Sequence, residues 1–341
     1  MSNSPEPLRI GIVGAGAIVR DRHLPNLKKI EGIEVAAVCN STLDSASTFC
    51  RQHAPEAEPM ENWADLLARP DLDIIWIGTP PSMHASVTIA ALQAGKHVFC
   101  QARMASHLAE AEDMLYAAQK FPHLVTMLCP PPHGMVGEQE MQQRLSAVGQ
   151  PHHIRLRSLT NSYIDPDTPA HWRQKYELSG IQILTLGIYV EVLHRWLGQI
   201  TQVYAQSKLL TPLRGEYRVR IPDMVTVFCE FESGAHGVLE FGGIHAHPPG
   251  DSIEIYGDQG TLTYDFVTDT IQLGTRHENS LQPINIGNPG SWRVEEDFIA
   301  SVRQPDAPRP SPTFEEGLAY MRVVQAVTES LTAKHPIVIT H

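Results

Sequence analysis

Two glycines, Gly14 and Gly16, close an apolar run of Ile10, Ile12 and Val13, and they carry the clearest chemistry in the chain. Gly14 permits a tight turn, and Gly16 lets the backbone approach a pyrophosphate. The helix expected directly after them points free N–H groups and a partial positive charge at an anion. The third small position of this dinucleotide fingerprint holds the bulkier Val19. A second strand, over 34–40, ends about twenty residues downstream, where a ribose-reading side chain belongs. Asn40, Ser41 and Thr42 stand there in place of an acid. An Asp or Glu would hold the 2′-hydroxyl of NAD and repel a 2′-phosphate. Asn40 cannot repel, and Ser41 and Thr42 can donate to phosphate, which tilts the choice toward NADP. No arginine follows, so NAD stays open.

Further along, His171-Trp172-Arg173 combines a guanidinium with an indole. That pairing suits an anionic or hydroxylated ligand, or else an interdomain salt bridge. Thr185 and Tyr189 are four apart on an expected helix and share a face. A phenol can donate a proton to a carbonyl. With a cation lowering its ordinary pKa of about 10, it can also take one from an alcohol. Tyr189 is otherwise a packing aromatic. His245 and His247 share one side of a strand end, facing substrate or forming a rim, while His194 is turned away from Tyr189. The 17 histidines contain no H-E-x-x-H pair and the five cysteines no C-x-x-C, so no metal is expected.

The elements that must position these residues change character along the 341-residue chain, which is long for one core. Strands at 8–13, 34–39, 73–78, 97–100 and 124–129 alternate with helices at 17–30, 43–53, 61–68, 83–94 and 106–119. That alternation makes an α/β Rossmann domain with a doubly wound parallel sheet. Pro130-Pro131-Pro132 stops the pattern, placing the boundary between a domain of 1–129 and one of 130–341. In the second domain a helix near 179–197 precedes β-branched segments at 200–210, 217–232, 235–245, 251–256 and 260–265. Helices at 293–303 and 313–333 and a strand at 337–339 complete an α+β domain on a mainly antiparallel open sheet. Val219, Ile221, Val225, Val227, Phe231, Val238, Leu239 and Phe241 suggest an apolar outer sheet face that pairs two copies into a homodimer or higher homo-oligomer. The net charge of −12 and pI of about 5.8 argue against nucleic acid or an anionic membrane as partner. A polar start, no span-length apolar run and dispersed cysteines point to a cytoplasmic protein with reduced thiols.

Several segments, in order, resemble the glucose-fructose oxidoreductase/inositol dehydrogenase/MocA family over nearly the whole length. Gly11–Ile18 looks like its opening, and Thr79-Pro-Pro-Ser-Met-His84 like the turn after its fourth strand. Ala94–Cys100 is similar to the lead-in to its catalytic signature, and His171-Trp-Arg173 with Ser179-Gly180 to its W-R…G-G segment. Residues 253–262, 295–299 and 312–318 resemble its second-domain hairpin and C-terminal helices. The resemblance implies nucleotide contacts at Gly14, Gly16, Ala17, Ile18, Thr79, Pro80, His84 and Gln101. It implies substrate contacts at His133, His171, Trp172 and Arg173, and hydride transfer to or from a sugar, polyol or related carbonyl. The family's Glu-Lys-Pro signature falls on Gln101-Ala102-Arg103, and its Asp and His positions on Thr185 and Tyr189. All three usual acid/base groups are replaced, a loss that ordinarily costs about 10²–10⁴ in rate. Tyr189, with Arg103 as its cation and Thr185 as its orienting hydroxyl, is then the expected catalytic set. A nucleotide-binding sensor without catalysis, and NAD-assisted glycoside hydrolysis or elimination, remain the alternatives.

Overall fold

The computed structural model describes residues 6–130, 136–287, 292–304 and 308–340. The chain divides into two compact units, Met1–Pro130 with Arg293–Leu318, and Pro131–Trp292 with Ala319–His341. The division after Pro130 sits at the triple proline, but residues 293–318, expected in the second domain, pack with the first.

In the first unit, β1 (Leu8–Val13), β2 (Ile33–Cys39), β3 (Glu58–Met60), β4 (Ile74–Ile77), β5 (His97–Cys100) and β6 (Thr126–Leu128) form one parallel sheet. Its order is β3-β2-β1-β4-β5-β6, with β1 and β4 at the centre. All four residues of Ile74–Ile77 are buried, as helices on both faces require. The helices are α1 (Leu24–Leu27), α2 (Leu43–His53), α3 (Trp63–Leu67), α4 (His84–Gln93) and α5 (Leu108–Lys120). Residues 19–23, expected as ordinary helix, form a π-helical turn leading into α1. Such turns re-aim side chains and recur at functional sites.

The second unit contains α6 (Glu138–Arg144), α7 (Tyr176–Ser179) and α8 (Leu186–Leu197). Its strands are β7 (Pro151–Leu159), β8 (Ile200–Lys208), β9 (Leu213–Arg214), β10 (Tyr217–Arg218), β11 (Met224–Phe231), β12 (His236–Gly242), β13 (Gly250–Gly257), β14 (Gly260–Asp265), β15 (Thr270–Thr275), β16 (Gln282–Ile284) and β17 (Ile337–Val338). Nine of them form a sheet ordered β16-β15-β14-β13-β7-β12-β11-β8-β17, antiparallel except at β7–β12. The segment expected as one strand over 217–232 is broken at Pro222, where Asp223 Oδ2 accepts from the N–H groups of Leu210 (2.7 Å) and Thr211 (2.9 Å). The helix expected from 179 begins only at Leu186, after a turn in which Leu184 takes a φ of +48°. The chain ends with α9 (Val294–Arg303), α10 (Phe314–Ala333) and β17.

The apolar outer face expected on this sheet is not there. Val225, Val227, Phe231, Leu239 and Phe241 are buried on the inner face, and Val219 and Ile221 are buried in the loop before β11. Strand side chains alternate in pairs of faces, and the expected set mixed both parities. The outer positions carry Arg155–Glu240 (3.0 Å) and Arg157–Glu254 (2.8 Å) ion pairs, with Phe228 as the exposed aromatic.

Candidate functional site

The first unit holds the glycine turn as a cradle. Gly14 has a φ of +87°, and a Cβ there would lie 2.6 Å from the Thr79 backbone nitrogen. Its own N–H donates to Cys39 O (2.8 Å), locking the turn to the end of β2. A Cβ on Gly16 would meet nothing within 4 Å, so the space above that residue is open. The bulky Val19 is accommodated from the other side. It is fully buried, and a Cβ at Gly78 would press on its Cγ2 at 2.6 Å and on Gly14 O at 2.3 Å. The small residue missing from the helix is therefore supplied by β4's end.

Asn40 turns its Oδ1 toward the loop and accepts from the Ala15 N–H (2.8 Å). Ser41 is exposed, and Thr42 is used as the cap of α2, accepting from Ser45 N (3.2 Å). Ala17 and Ile18 open the helix. Pro80 is half-buried beside Thr79, whose Oγ1 is buried without a hydrogen-bond partner. An open approach over Gly16 and an orphaned hydroxyl beside Gly14 fit a dinucleotide phosphate. His84 is a strut rather than an exposed contact: it is fully buried, with Nε2 at 2.8 Å from Thr79 O and Nδ1 at 2.9 Å from Arg103 O. Burial lowers its pKa against the pull of those carbonyls. It ties the two loops that carry Thr79 and Arg103 together. Arg103 itself is buried.

Gln101 also points inward. It hydrogen-bonds His23 Nε2, whose Nδ1 lies 2.5 Å from Glu295 Oε1. All three are buried, and the π-helical turn is what swings His23 into the core, edge-on to Trp76 and Phe99. Sequence reasoning missed His23 and Glu295, since the pairing spans 272 positions.

The second unit contains a pocket of about 400 Å³, lined among others by Ser158, Thr160, His171, Arg173, Thr185 and Arg214. Of the expected residues, Thr185, His171 and Arg173 come together here, and Arg173 lies over the Trp172 ring at 4.3 Å. His133 lies outside the described residues. Strained Leu184 also lines the pocket.

Tyr189 is one turn beyond Thr185 but buried, 1 % exposed, between the α8 core and the sheet. Its hydroxyl donates to the Asp251 carboxylate and accepts from Ser158. Ser158 Oγ and Thr185 Oγ1 are 2.8 Å apart at the pocket wall. The register explains the grouping: Ser158 of β7 is paired with Asp251 of β13, so both side chains share the face beneath α8. The charge beside the phenol is thus an anion, not the expected cation. Burial and Asp251 together raise the Tyr189 pKa far above its usual value, which works against the phenolate base foreseen from sequence. What exists is a line of exchangeable protons, from Thr185 and Ser158 through Tyr189 to Asp251. Ser158 and Asp251 were missed, although the alternation of Ile154, Leu156 and Ser158 marks an inward strand face.

His245 and His247 lie at the strand rim, half-buried and exposed. All five cysteines are buried and unpaired, and among the described residues no group of His, Cys, Asp or Glu is placed to hold a metal. No helix among the described residues is long and apolar enough to cross a membrane.

A parallel dinucleotide sheet followed by an α+β unit with a polar pocket defines a two-domain oxidoreductase architecture. The model of the "Oxidoreductase family, NAD-binding Rossmann fold" matches residues 8–128, and that of the "GFO/IDH/MocA C-terminal domain" matches residues 139–263. The chain belongs to the Gfo/Idh/MocA family of NAD(P)-dependent oxidoreductases. It is similar to the uncharacterized oxidoreductase YrbE of Bacillus subtilis, 24% identical over 97% of this chain and 96% of the relative. Inositol 2-dehydrogenase of Salmonella typhimurium is 36% identical, over 33% of this chain and 34% of its own length. The fold matches levoglucosan dehydrogenase in complex with NADH and levoglucosan at a TM-score of 0.87, 19% identity, 98% of this chain and all of that one.

Proposed function

We propose that this chain oxidises or reduces a small polyhydroxylated substrate held in the second unit's pocket, using NAD(P) bound at the Gly14–Gly16 turn of the first. The observation that carries the reading is the hydroxyl line from the pocket wall to Asp251. The nicotinamide, when bound, takes or gives the hydride. Ser158 or Thr185 accepts the alcohol proton of the substrate as its own proton passes inward. Tyr189 receives that proton while donating its own to Asp251, so the phenol stays neutral throughout. The replaced Lys, Asp and His positions then mark a rerouted proton path rather than lost chemistry. Names of relatives, inositol 2-dehydrogenase and levoglucosan dehydrogenase, support a sugar-like substrate.

The cofactor reading extends to NADP. With Asn40 held by the Ala15 N–H and no carboxylate at residues 40–42, nothing there repels a 2′-phosphate. The outer sheet face, bearing Phe228 stacked on Tyr204, pairs two copies into a homodimer in this reading; a monomer mass by light scattering would count against it. Fluorescence titration with NADH and NADPH, followed by nucleotide reduction with a polyol and sugar panel, tests the function. Binding of both nucleotides with net absorbance change is expected. No binding of either at about millimolar concentration sinks the reading, because dinucleotide sites bind well below that.

A further inference from the structure

The pocket of the second unit is built for an anion. Two guanidinium groups, Arg173 and Arg214, line it, and among the described residues no Asp or Glu does, in a chain whose net charge is −12. Arg214 is 2 % exposed, and its donors go to the carbonyls of Tyr163 (2.6 Å), Asp165 (2.7 Å) and Thr168 (3.2 Å). Among the described residues its Nε has no partner, and neither has the buried Nε2 of Gln174, which lines the same pocket. Arg173 forms no ion pair with any described carboxylate; one face of its guanidinium is covered by Trp172. Desolvation lowers the pKa of Arg173. Burying a cation without an anion is costly, and a carboxylate meeting the Arg fork edge-on satisfies it with paired hydrogen bonds.

Resting on the oxidoreductase reading above, we propose that the substrate is a sugar acid: a polyhydroxylated molecule whose carboxylate is held by Arg173, with Arg214 and Gln174 behind it. Its hydroxyls face Ser158, Thr160 and Thr185 at the opposite chemistry of the same wall. The volume of about 400 Å³ suits one six-carbon acid rather than a nucleotide-linked sugar.

Calorimetric titration of the full chain with matched pairs tests this: galacturonate against galactose, gluconate against sorbitol, with glucose 6-phosphate as a third arm. At least one acid binds about tenfold or more tighter than its neutral partner, and added salt narrows the gap. Arg173→Met lowers that acid-to-neutral ratio by about 10- to 100-fold, and Arg173→Lys recovers part of it. Should neither variant fold, the wild-type ratio and its salt dependence decide alone. Equal binding of acids and neutral sugars overturns the proposal even if hydride transfer to a neutral sugar is seen. Tighter binding of glucose 6-phosphate than of both acids also overturns it, replacing carboxylate by phosphoryl. Acid-selective binding without hydride transfer leaves the anion site standing and removes the oxidoreductase reading instead.

Discussion

Replacing Tyr189 by Phe removes one oxygen from the middle of the proton line and nothing from the pocket wall. In the fold, that oxygen is hydrogen-bonded to a carboxylate on one side and Ser158 on the other. A hydrogen bond to a charged group contributes about 1.5–3 kcal/mol. Tyr189→Phe therefore costs about 1–3 kcal/mol of stability, with part of the loss arising from Asp251 left short of a donor. Turnover falls further, by about 10²–10⁴, because the substrate proton no longer has a route to Asp251. Asp251→Asn separates the two effects: the amide still accepts from the phenol, so stability changes less, while turnover drops as far. Combining both substitutions lowers turnover little beyond either alone, since groups acting as one unit are not additive. Steady-state nucleotide reduction, nucleotide affinity by fluorescence and the solvent deuterium effect on kcat give the readouts. A Phe variant keeping more than about a third of wild-type turnover with an unchanged solvent effect refutes the relay.

The glycine cradle makes a paired prediction. Gly16→Ala changes unfolding by no more than about 0.5 kcal/mol yet weakens NADH and NADPH, because its Cβ enters open space meant for phosphate. Gly78→Ala instead lowers the melting temperature, by about 1–3 kcal/mol of stability, since its Cβ collides with Gly14 O and Val19. Glu295→Ala takes the buried carboxylate away from His23 Nδ1 and costs about 1–3 kcal/mol by chemical unfolding. Acid should destabilise the fold through His84 and His97, whose pKa values are both lowered by burial. Unfolded histidines bind protons below about pH 6.5 that the folded ones refuse, so stability is full above that pH and falls beneath it. Thermal melts from pH 8 to 5 check this, and His84→Gln should flatten part of the slope.

Most of the Rossmann unit was legible because its signals are local: continuous apolar runs such as Ile74–Ile77 and a glycine turn whose geometry dictates its residues. What escaped was either weakly apolar or long-range. β3 reads Glu58-Pro59-Met60, an edge strand with neither alternation nor a run. β7 was hidden by its outward His153, Arg155 and Arg157, although its inward residues place Ser158. The glycine turn and the Thr185/Arg173 neighbourhood could be read from residue types. The sign of the charge beside Tyr189 could not, because Asp251 reaches it through strand pairing 62 positions away.

The return of residues 293–318 to the first unit bears on how the protein can be made. A fragment ending at Pro130 lacks Glu295, and so leaves His23 and Gln101 in an apolar core without their buried acid. On the ribosome, the nucleotide-binding unit cannot finish folding until residues 293–318 have followed residues 131–292 out. N-terminal domains usually fold first during synthesis. Here residues 131–292 must be made before the first unit is complete, which leaves its unfinished sheet open to chaperones and proteases while they are added.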